Sequence, residues 1–300
     1  MAAWLIAALV IAVSGPTYAD DSDLSAVVGS ARAFKMSSTP APEAVPGPVP
    51  APHPTPSPTP VKYCQDCAVL PIVIVAADYS LNGGDQVKQG AAAFTSAVKW
   101  VQAWYRSETG RTFAVLPAET IASKLTSDQW LTLSCQTATP DERKRFAPCN
   151  QAKYDAGGPQ VRYAYYEKVK AEFLAKHSGG EENRRFIITV YAGPQPDAWL
   201  GAADGEAYAV AAPRSASVSC PDFSKDPSGG DEKCRDSAYG IAHELGHSFG
   251  LAHACEQSDY PKTDCEHSFM QAQHPPGMTM LDGEMKTLLR NKFFALFNIK

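Results

Sequence analysis

The sequence predicts a domain of mixed α and β structure, of the α+β or α/β class. Residues 69–76 form a continuous run rich in β-branched side chains, which is typical of a buried strand. Residues 85–106 carry apolar side chains at helical spacing, as expected for a long amphipathic helix. A second apolar run at residues 185–191 follows another helical segment, so strands and helices alternate along the chain.

The remaining elements follow from the same two periodicities. The predicted strands are residues 69–76, 112–116, 185–191 and 207–212. The predicted helices are residues 85–106, 127–133, 160–177, 237–249 and 281–294. Glycines within residues 201–205 predict a turn before the last strand. On the last helix, the spacing predicts inward side chains at Leu281, Met285, Leu288 and Leu289.

Two segments before residue 61 are predicted to lie outside the folded domain. Residues 1–19 are uncharged and contain an apolar run that ends in small residues, which is typical of a secretory signal peptide cleaved after Ala19. No Lys or Arg precedes the run, so an uncleaved anchor is the alternative, although a bilayer span needs about 20 apolar residues. Residues 20–60 are predicted to be a disordered, proline-rich linker.

Composition points to an exported protein. The eight cysteines are an even number, as expected for disulfides formed outside the cytosol. We therefore expect a secreted or extracytoplasmic protein, in a periplasm or at a cell surface. The net charge of −5 argues against a nucleic-acid partner.

Short sequence separations suggest how the cysteines pair. The predicted disulfides are Cys135–Cys149, Cys220–Cys234 and Cys255–Cys265. Cys64 and Cys67 then pair with each other or bridge elsewhere. A redox motif and half of a zinc ribbon are two further interpretations of this C-x-x-C. The first needs a following helix and the second needs another C-x-x-C, and the sequence supplies neither.

Histidine and glutamate side chains near the end of the chain point to metal chemistry. His243 and His247 are four residues apart, so on a helix both imidazoles project from one face and can hold one Zn²⁺. Glu244 follows the first histidine directly and can reach a metal-bound water as a carboxylate base.

A third histidine can join this site only if the helix ends. On a continuing helix, His253 would point away from the other two and lie about 9 Å along the axis from His247. Gly250 stands between them, and glycine enters left-handed backbone conformations at little cost. We therefore expect the helix to end at Gly250 and His253 to complete a three-nitrogen site. A fourth position would stay open for water, as in catalytic zinc sites.

These spacings match H-E-x-x-H-x-x-G-x-x-H in full, and the chain here resembles the metzincin clan of zinc metallopeptidases. The resemblance implies a metzincin-like catalytic domain over residues 61–300, with Zn²⁺ as its cofactor. It implies a twisted sheet, two long helices plus the zinc helix, and a small C-terminal subdomain. It also implies an edge strand that pairs with extended substrate, which we assign to residues 207–212. A plain sheet edge is the other interpretation of that strand.

The resemblance further implies a methionine turn beneath the metal. Met270, in Ser268-Phe269-Met270-Gln271, is the candidate, because Met278 and Met280 stand too close to the last helix. Met270 would support the histidines by packing, since a thioether is a poor ligand for Zn²⁺ beside imidazole. Residues 273–279 are predicted to form a wall of the pocket for the side chain just past the cleaved bond.

Other residues separate the chain from the well-known families of the clan. Ala254 follows the third histidine, where those families carry Glu, Asp, Pro or Ser. Ala272 stands where astacins and serralysins have a tyrosine that reaches the zinc. We therefore assign the clan and no family within it. His267 and His274 lack the spacing to reach the helix face and are interpreted as solvated loop residues.

The function predicted from these residues is that of a secreted zinc-dependent endopeptidase with Glu244 as general base. The alternative is a zinc-containing surface binding or adhesion domain without turnover, against which the intact Glu244 argues. A third hypothesis is hydrolysis of a wall peptide cross-link. We expect a protein or peptide substrate, no nucleic acid, no stable membrane insertion and a monomer.

Overall fold

A mostly parallel sheet lies at the centre of the fold. In chain order, its six strands in the described residues are β1 (Ala68–Val75), β2 (Ala114–Val115), β3 (Glu119–Ala122), β4 (Arg184–Tyr191), β5 (Ala202–Ala203) and β6 (Tyr208–Val210). Their spatial order is β2-β1-β4-β6-β5, and β3 pairs with β1 on the edge that β2 also uses. β5 runs antiparallel to β6, while the other pairings are parallel.

The helices complete the alternation that the sequence predicts. They are α1 (Gly84–Thr109), α2 (Ser127–Thr137), α3 (Ala164–Leu174), α4 (Glu232–Ser248) and α5 (Asp282–Arg290). The mixed α and β class is confirmed, and the predicted elements reappear with shifted ends. The sequence analysis missed β3.

The protein is described here from a computed structural model. The structure describes residues 64, 66–79, 84–137, 149, 164–193, 202–203, 207–228, 232–256, 265–271 and 279–294. The predicted signal peptide and linker lie outside the described residues, as do residues 160–163 of the third predicted helix and most of the predicted pocket wall. Among the described helices, none combines the length and apolar character that crossing a membrane requires.

Both faces of the sheet are covered, and this explains the uninterrupted apolar run of β1. Val69, Val73 and Val75 belong to a core cluster shared with α1 and α4. The intervening side chains Ile72 and Ile74 belong to a second cluster shared with α2 and α3. Successive side chains of a strand point to opposite faces, so a strand buried on both sides has no polar alternation.

The prediction that residues 207–212 form an edge strand is wrong. β6 lies between β4 and β5, with Ile187 beside Ala209 and Ala203 on the other side of Ala209. The outer position belongs to β5, which falls within the glycine-containing stretch predicted to be a turn. A strand of two residues, such as β5, is too short to show the alternation of apolar and polar side chains by which strands are predicted.

Four disulfides close short loops. The three predicted pairs, Cys135–Cys149, Cys220–Cys234 and Cys255–Cys265, are confirmed. Cys64 pairs with Cys67, which was the first of the two alternatives. Asn183 Oδ1 lies 3.5 Å from Cys64 Sγ, so this bond sits beside the entry to β4.

The C-terminal end of α4 is fixed by partners from two other elements. Arg185 of β4 donates from Nε to the Ser248 carbonyl at 2.7 Å, and its guanidinium lies 4.3 Å from the ring centroid of Phe293. Asn291, just past α5, donates from Nδ2 to the Phe249 carbonyl at 2.8 Å. The last carbonyls of a helix lack intrahelical donors, so these two side chains supply the missing hydrogen bonds. The positive charge of Arg185 also interacts favourably with the negative end of the helix dipole.

Replacement of Arg185 should therefore destabilise the folded state. We expect Arg185→Met to cost about 1–3 kcal/mol of unfolding free energy, because it removes a charged donor from a half-buried carbonyl while keeping an apolar side chain. Urea denaturation of the purified protein measures this. Lys99→Met, at an exposed position of α1, is the control and should change stability by no more than about 0.5 kcal/mol. Equal losses in both variants would contradict the assigned role.

Candidate metal centre

Three histidine side chains converge where α4 ends. His243 and His247 lie on α4, and His253 lies on the turn that follows. The Nε2 atom of His247 is 3.2 Å from that of His243 and 3.2 Å from that of His253. Their candidate ligand atoms all lie within 4.8 Å of one another, so the cluster can hold a metal ion.

The opposite nitrogen of each ring faces an oxygen acceptor. His243 Nδ1 lies 2.8 Å from the Phe269 carbonyl, and His247 Nδ1 lies 2.8 Å from the Leu251 carbonyl. Each of these Nδ1 atoms therefore carries a proton, and in the neutral ring this leaves the lone pair on Nε2. Burial also lowers the pKa of His247, because desolvation disfavours the charged ring. His253 has the same arrangement, with a carboxylate as its acceptor.

This donor set fits a divalent cation such as zinc. Two neutral Nε2 atoms cannot hydrogen-bond to each other, because neither has a proton to donate. Zn–N bonds of about 2.0–2.1 Å in a tetrahedron place neighbouring nitrogens about 3.3–3.4 Å apart. The 3.2 Å separations found here are close to that spacing.

Gly250 ends α4 in a left-handed conformation, with φ of 92°. The Leu251 amide donates to the Gly246 carbonyl at 3.0 Å, and the Gly250 amide donates to the His247 carbonyl at 2.8 Å. This pair of bonds is the Schellman motif, in which glycine is favoured because it has no Cβ. The geometry agrees with the helix break that the sequence predicts, and it turns the chain so that His253 faces the two helical histidines.

Glu244 is a buried carboxyl group beside the first histidine. Its exposed fraction is 7%, and that of His243 is 8%. Burial raises the pKa of Glu244 to about 8 in the protein alone, because desolvation disfavours the charged form. A cation held by the neighbouring imidazoles would act in the opposite direction and favour the carboxylate.

Residues 268–271, called the Met270 turn below, lie under the histidines. The Phe269 carbonyl accepts from His243, and the Met270 carbonyl accepts from the amide of Ala254 at 3.1 Å. Tyr239 of α4 donates its hydroxyl to the Gln271 carbonyl at 3.0 Å. The turn is thereby bonded both to α4 and to the segment that carries His253.

Met270 packs directly against α4 at Gly246. A Cβ atom added at Gly246 would lie 2.4 Å from Met270 Sδ and 3.2 Å from the ring of Phe269. Met270 and Phe269 are fully buried. The sequence analysis chose Met270 but did not recognise Gly246. In H-E-x-x-H any residue can stand at position 246, so the motif does not specify a glycine there. Residue 246 is three residues after His243 and so lies on the same face of the helix, which could have identified it.

A buried glutamate, which the sequence analysis also missed, holds the Met270 turn to α5. Glu284 is 1% exposed, and one of its carboxylate oxygens accepts from the Ser268 hydroxyl. The other oxygen accepts from the Leu281 amide at 2.7 Å, and Ser268 Oγ in turn accepts from the Met270 amide at 2.8 Å. Of the predicted inward side chains on this helix, Leu288 is buried in the core, and Leu281 and Met285 pack against it, as expected. Leu289 is not part of that cluster, and Glu284, which was not predicted to face inward, is buried.

The other histidines and methionines considered as alternatives for the metal site and the Met270 turn are not found in those roles among the described residues. His267 is exposed and is not part of the histidine cluster, as expected for a solvated loop residue. Met280 is buried at 9% exposure and belongs to the core, whereas Met270 is the methionine packed on Gly246. His274 and Met278 lie outside the described residues.

Comparison with known proteins gives a limited result. No protein-family model matches the chain, and no curated protein matches it. Similar solved structures include those of OgpA from Akkermansia muciniphila: the wild type in two crystal forms and a catalytically inactive form in complex with an O-glycopeptide substrate, glycodrosocin. The wild-type structures have TM-scores of 0.43 and 0.44 at 12% identity, and the complex has 0.41 at 13%.

These matches cover 81–82% of this chain but only 65–66% of the OgpA chains. Overlap at this level carries no argument about activity.

The Gly246–Met270 contact generates a test with a matched control on the same helix. We expect Gly246→Ala to lower the unfolding free energy by about 1–2 kcal/mol, because overpacking outweighs the gain in helix propensity. Gly240→Ala, where nothing lies within 4 Å of the added Cβ, should instead stabilise the protein by up to about 1 kcal/mol. Urea denaturation of both variants, freed of metal, measures the difference. Stabilisation by both substitutions would show that Met270 moves aside freely.

The left-handed residue at the end of α4 generates a second test. We expect Gly250→Ala to cost about 1–2 kcal/mol of stability and to weaken zinc binding, since relief of the backbone strain moves His253. Gly110→Ala is the control, because that glycine also has a positive φ, of 69°, with nothing within 4 Å, but follows α1. It should lose similar stability with unchanged zinc affinity, measured by chelator competition. Equal zinc affinity in the two variants would contradict the role assigned to Gly250.

Proposed function

We propose that this protein is a secreted zinc-dependent endopeptidase, with His243, His247 and His253 as metal ligands and Glu244 as general base. The observation that carries the proposal is the convergence of three imidazole side chains next to a buried carboxyl group. Three protein ligands leave a fourth position for a reactant, which is the usual arrangement of catalytic rather than structural zinc. The four disulfides support an extracytoplasmic location.

The histidines would hold the metal through Nε2, while their Nδ1–H groups stay bonded to the acceptors described above. When bound there, zinc supplies a Lewis acid that polarises the scissile carbonyl and lowers the pKa of water. The Met270 turn keeps the ring of His243 oriented, because the Phe269 carbonyl fixes its Nδ1.

Glu244 would move the proton between the two halves of the reaction. Its carboxylate takes a proton from the attacking water as the water oxygen bonds to the carbonyl carbon. It then gives that proton to the amide nitrogen as the C–N bond breaks, so that one water is consumed and an amine and a carboxyl group are formed. A group that must both accept and donate a proton works best with a pKa near the operating pH, and burial moves Glu244 in that direction.

An extended peptide would bind along the sheet edge that packs against α4. Within the described residues that edge belongs to β5, so backbone pairing would use β5 in place of the strand assigned from the sequence. Residues 273–278, assigned to the pocket wall, lie outside the described residues and keep that role as a prediction.

The decisive test separates metal binding from turnover. We expect the full-length protein to bind about one zinc ion and to cleave members of a mixed peptide library. Glu244→Ala should keep the zinc and lose at least about 100-fold in cleavage rate, since it removes the proton carrier and no ligand. His247→Ala should lose both the zinc and the activity.

Each variant also serves as a control for the others. Removal of metal by a chelator should abolish cleavage by the wild type, and added zinc should restore it. Cleavage by Glu244→Ala at the wild-type rate would refute the proposed mechanism. Zinc in both proteins with cleavage in neither would favour the alternative of a zinc-containing binding domain.

A further inference from the structure

The three imidazoles of the site are held in different ways. His243 and His247 each donate from Nδ1 to a backbone carbonyl, at 2.8 Å in both cases. His253 Nδ1 instead faces a side chain, with Glu256 Oε1 at 3.0 Å. A backbone carbonyl is a neutral acceptor fixed by the fold, whereas a carboxylate is a charged acceptor that a single substitution can remove.

His253 is also the ligand candidate that does not belong to α4. Its side chain is 28% exposed, and that of Glu256 is 70% exposed. His253 precedes a short 3-10 turn, Ala254–Glu256. The backbone amide of Glu256 donates to the His253 carbonyl at 3.2 Å. The hydrogen bond to Glu256 therefore fixes the orientation of a ring that the helix does not hold.

The backbone on which Glu256 stands is firmly placed. The neighbouring Cys255 is joined to Cys265, at the start of the segment that leads into the Met270 turn. The Ala254 amide donates to the Met270 carbonyl at 3.1 Å. A hydrogen bond at Ala254 and a covalent bond at Cys255 thus hold the two residues that precede Glu256 in the turn.

We propose that Glu256 is a positioning residue that orients His253 and strengthens its Nε2 as a metal donor. A carboxylate that accepts Nδ1–H pushes electron density onto the imidazole and selects the tautomer with a free Nε2 lone pair. The proposal rests on the zinc site proposed above. It adds that metal retention, rather than folding, depends on this exposed carboxylate.

Zinc affinity is the readout that tests the proposal. We expect Glu256→Ala to weaken zinc binding by the full-length protein about tenfold, at the lower end of the 10–100-fold range for such partners, because water can partly replace an exposed acceptor. Glu256→Gln, which keeps an acceptor oxygen without the charge, should lose less. The measurement is competition with a chromophoric chelator, and cobalt(II) absorption reports the ligand geometry independently.

The control is a carboxylate on the facing segment. Glu266 is exposed and follows Cys265 directly, so Glu266→Ala changes the local charge equally without touching a ligand. It should leave zinc affinity unchanged, and all three variants should unfold at the wild-type urea concentration when metal-free. A Glu256→Ala variant that binds zinc as tightly as the wild type would overturn the positioning role and leave the proposed function intact. Equal losses in the Ala and Gln variants, or a loss of metal-free stability that accounts for the weaker binding, would also overturn it.

A wild-type protein that binds no zinc would instead refute the proposed function. The two failures are therefore distinguishable, because the first concerns a difference between variants and the second concerns the wild type alone.

Discussion

The contact between Met270 and Gly246 is the constraint on which the rest of the site depends. Helix α4 carries two of the candidate ligands, and its underside must lie close to the Met270 turn for the Phe269 carbonyl to reach His243. A Cβ at position 246 would lie 2.4 Å from Met270 Sδ, so the buried Met270 side chain or one of the two segments would have to shift. The glycine is thus required by packing at this position, in spite of its cost of about 1 kcal/mol within a helix.

The surrounding elements hold these two segments at that distance. On the α4 side, Tyr105 of α1 donates to the Ala242 carbonyl at 2.8 Å in a fully buried bond, and Arg185 of β4 fixes the helix end. On the other side, Glu284 of α5 holds Ser268. Burial raises the pKa of Glu284, while the bonds from Ser268 and the Leu281 amide oppose that shift by stabilising its charged form. The sheet and the C-terminal helix therefore position the site through separate residues.

The sequence was informative where the determinants are local. The spacing of His243 and His247, the break at Gly250 and the short cysteine separations all concern neighbours along the chain, and the structure agrees with each. Glu284 was missed because a glutamate on an amphipathic helix looks solvated until its partner Ser268 is known. The two residues of β5 were missed because a strand that short is defined by its pairing with β6 rather than by its own composition.

The arrangement of the histidines also shows what the fold contributes to a metal site. The Nε2 atoms of His243 and His253 both lie close to that of His247, and each ring is held at its opposite nitrogen by a hydrogen bond. Two rings are held by backbone carbonyls, and the third is held on a turn closed by the Cys255–Cys265 disulfide. A cation at the centre would bind to the three Nε2 atoms without reordering the side chains. Pre-organisation of this kind lowers the entropic cost of binding. Such a metal would also stabilise the folded state in proportion to the logarithm of its concentration over its Kd. The site and the fold around it would therefore be thermodynamically linked: residues that hold the imidazoles in place would affect metal affinity, and bound metal would reinforce the packing that holds them.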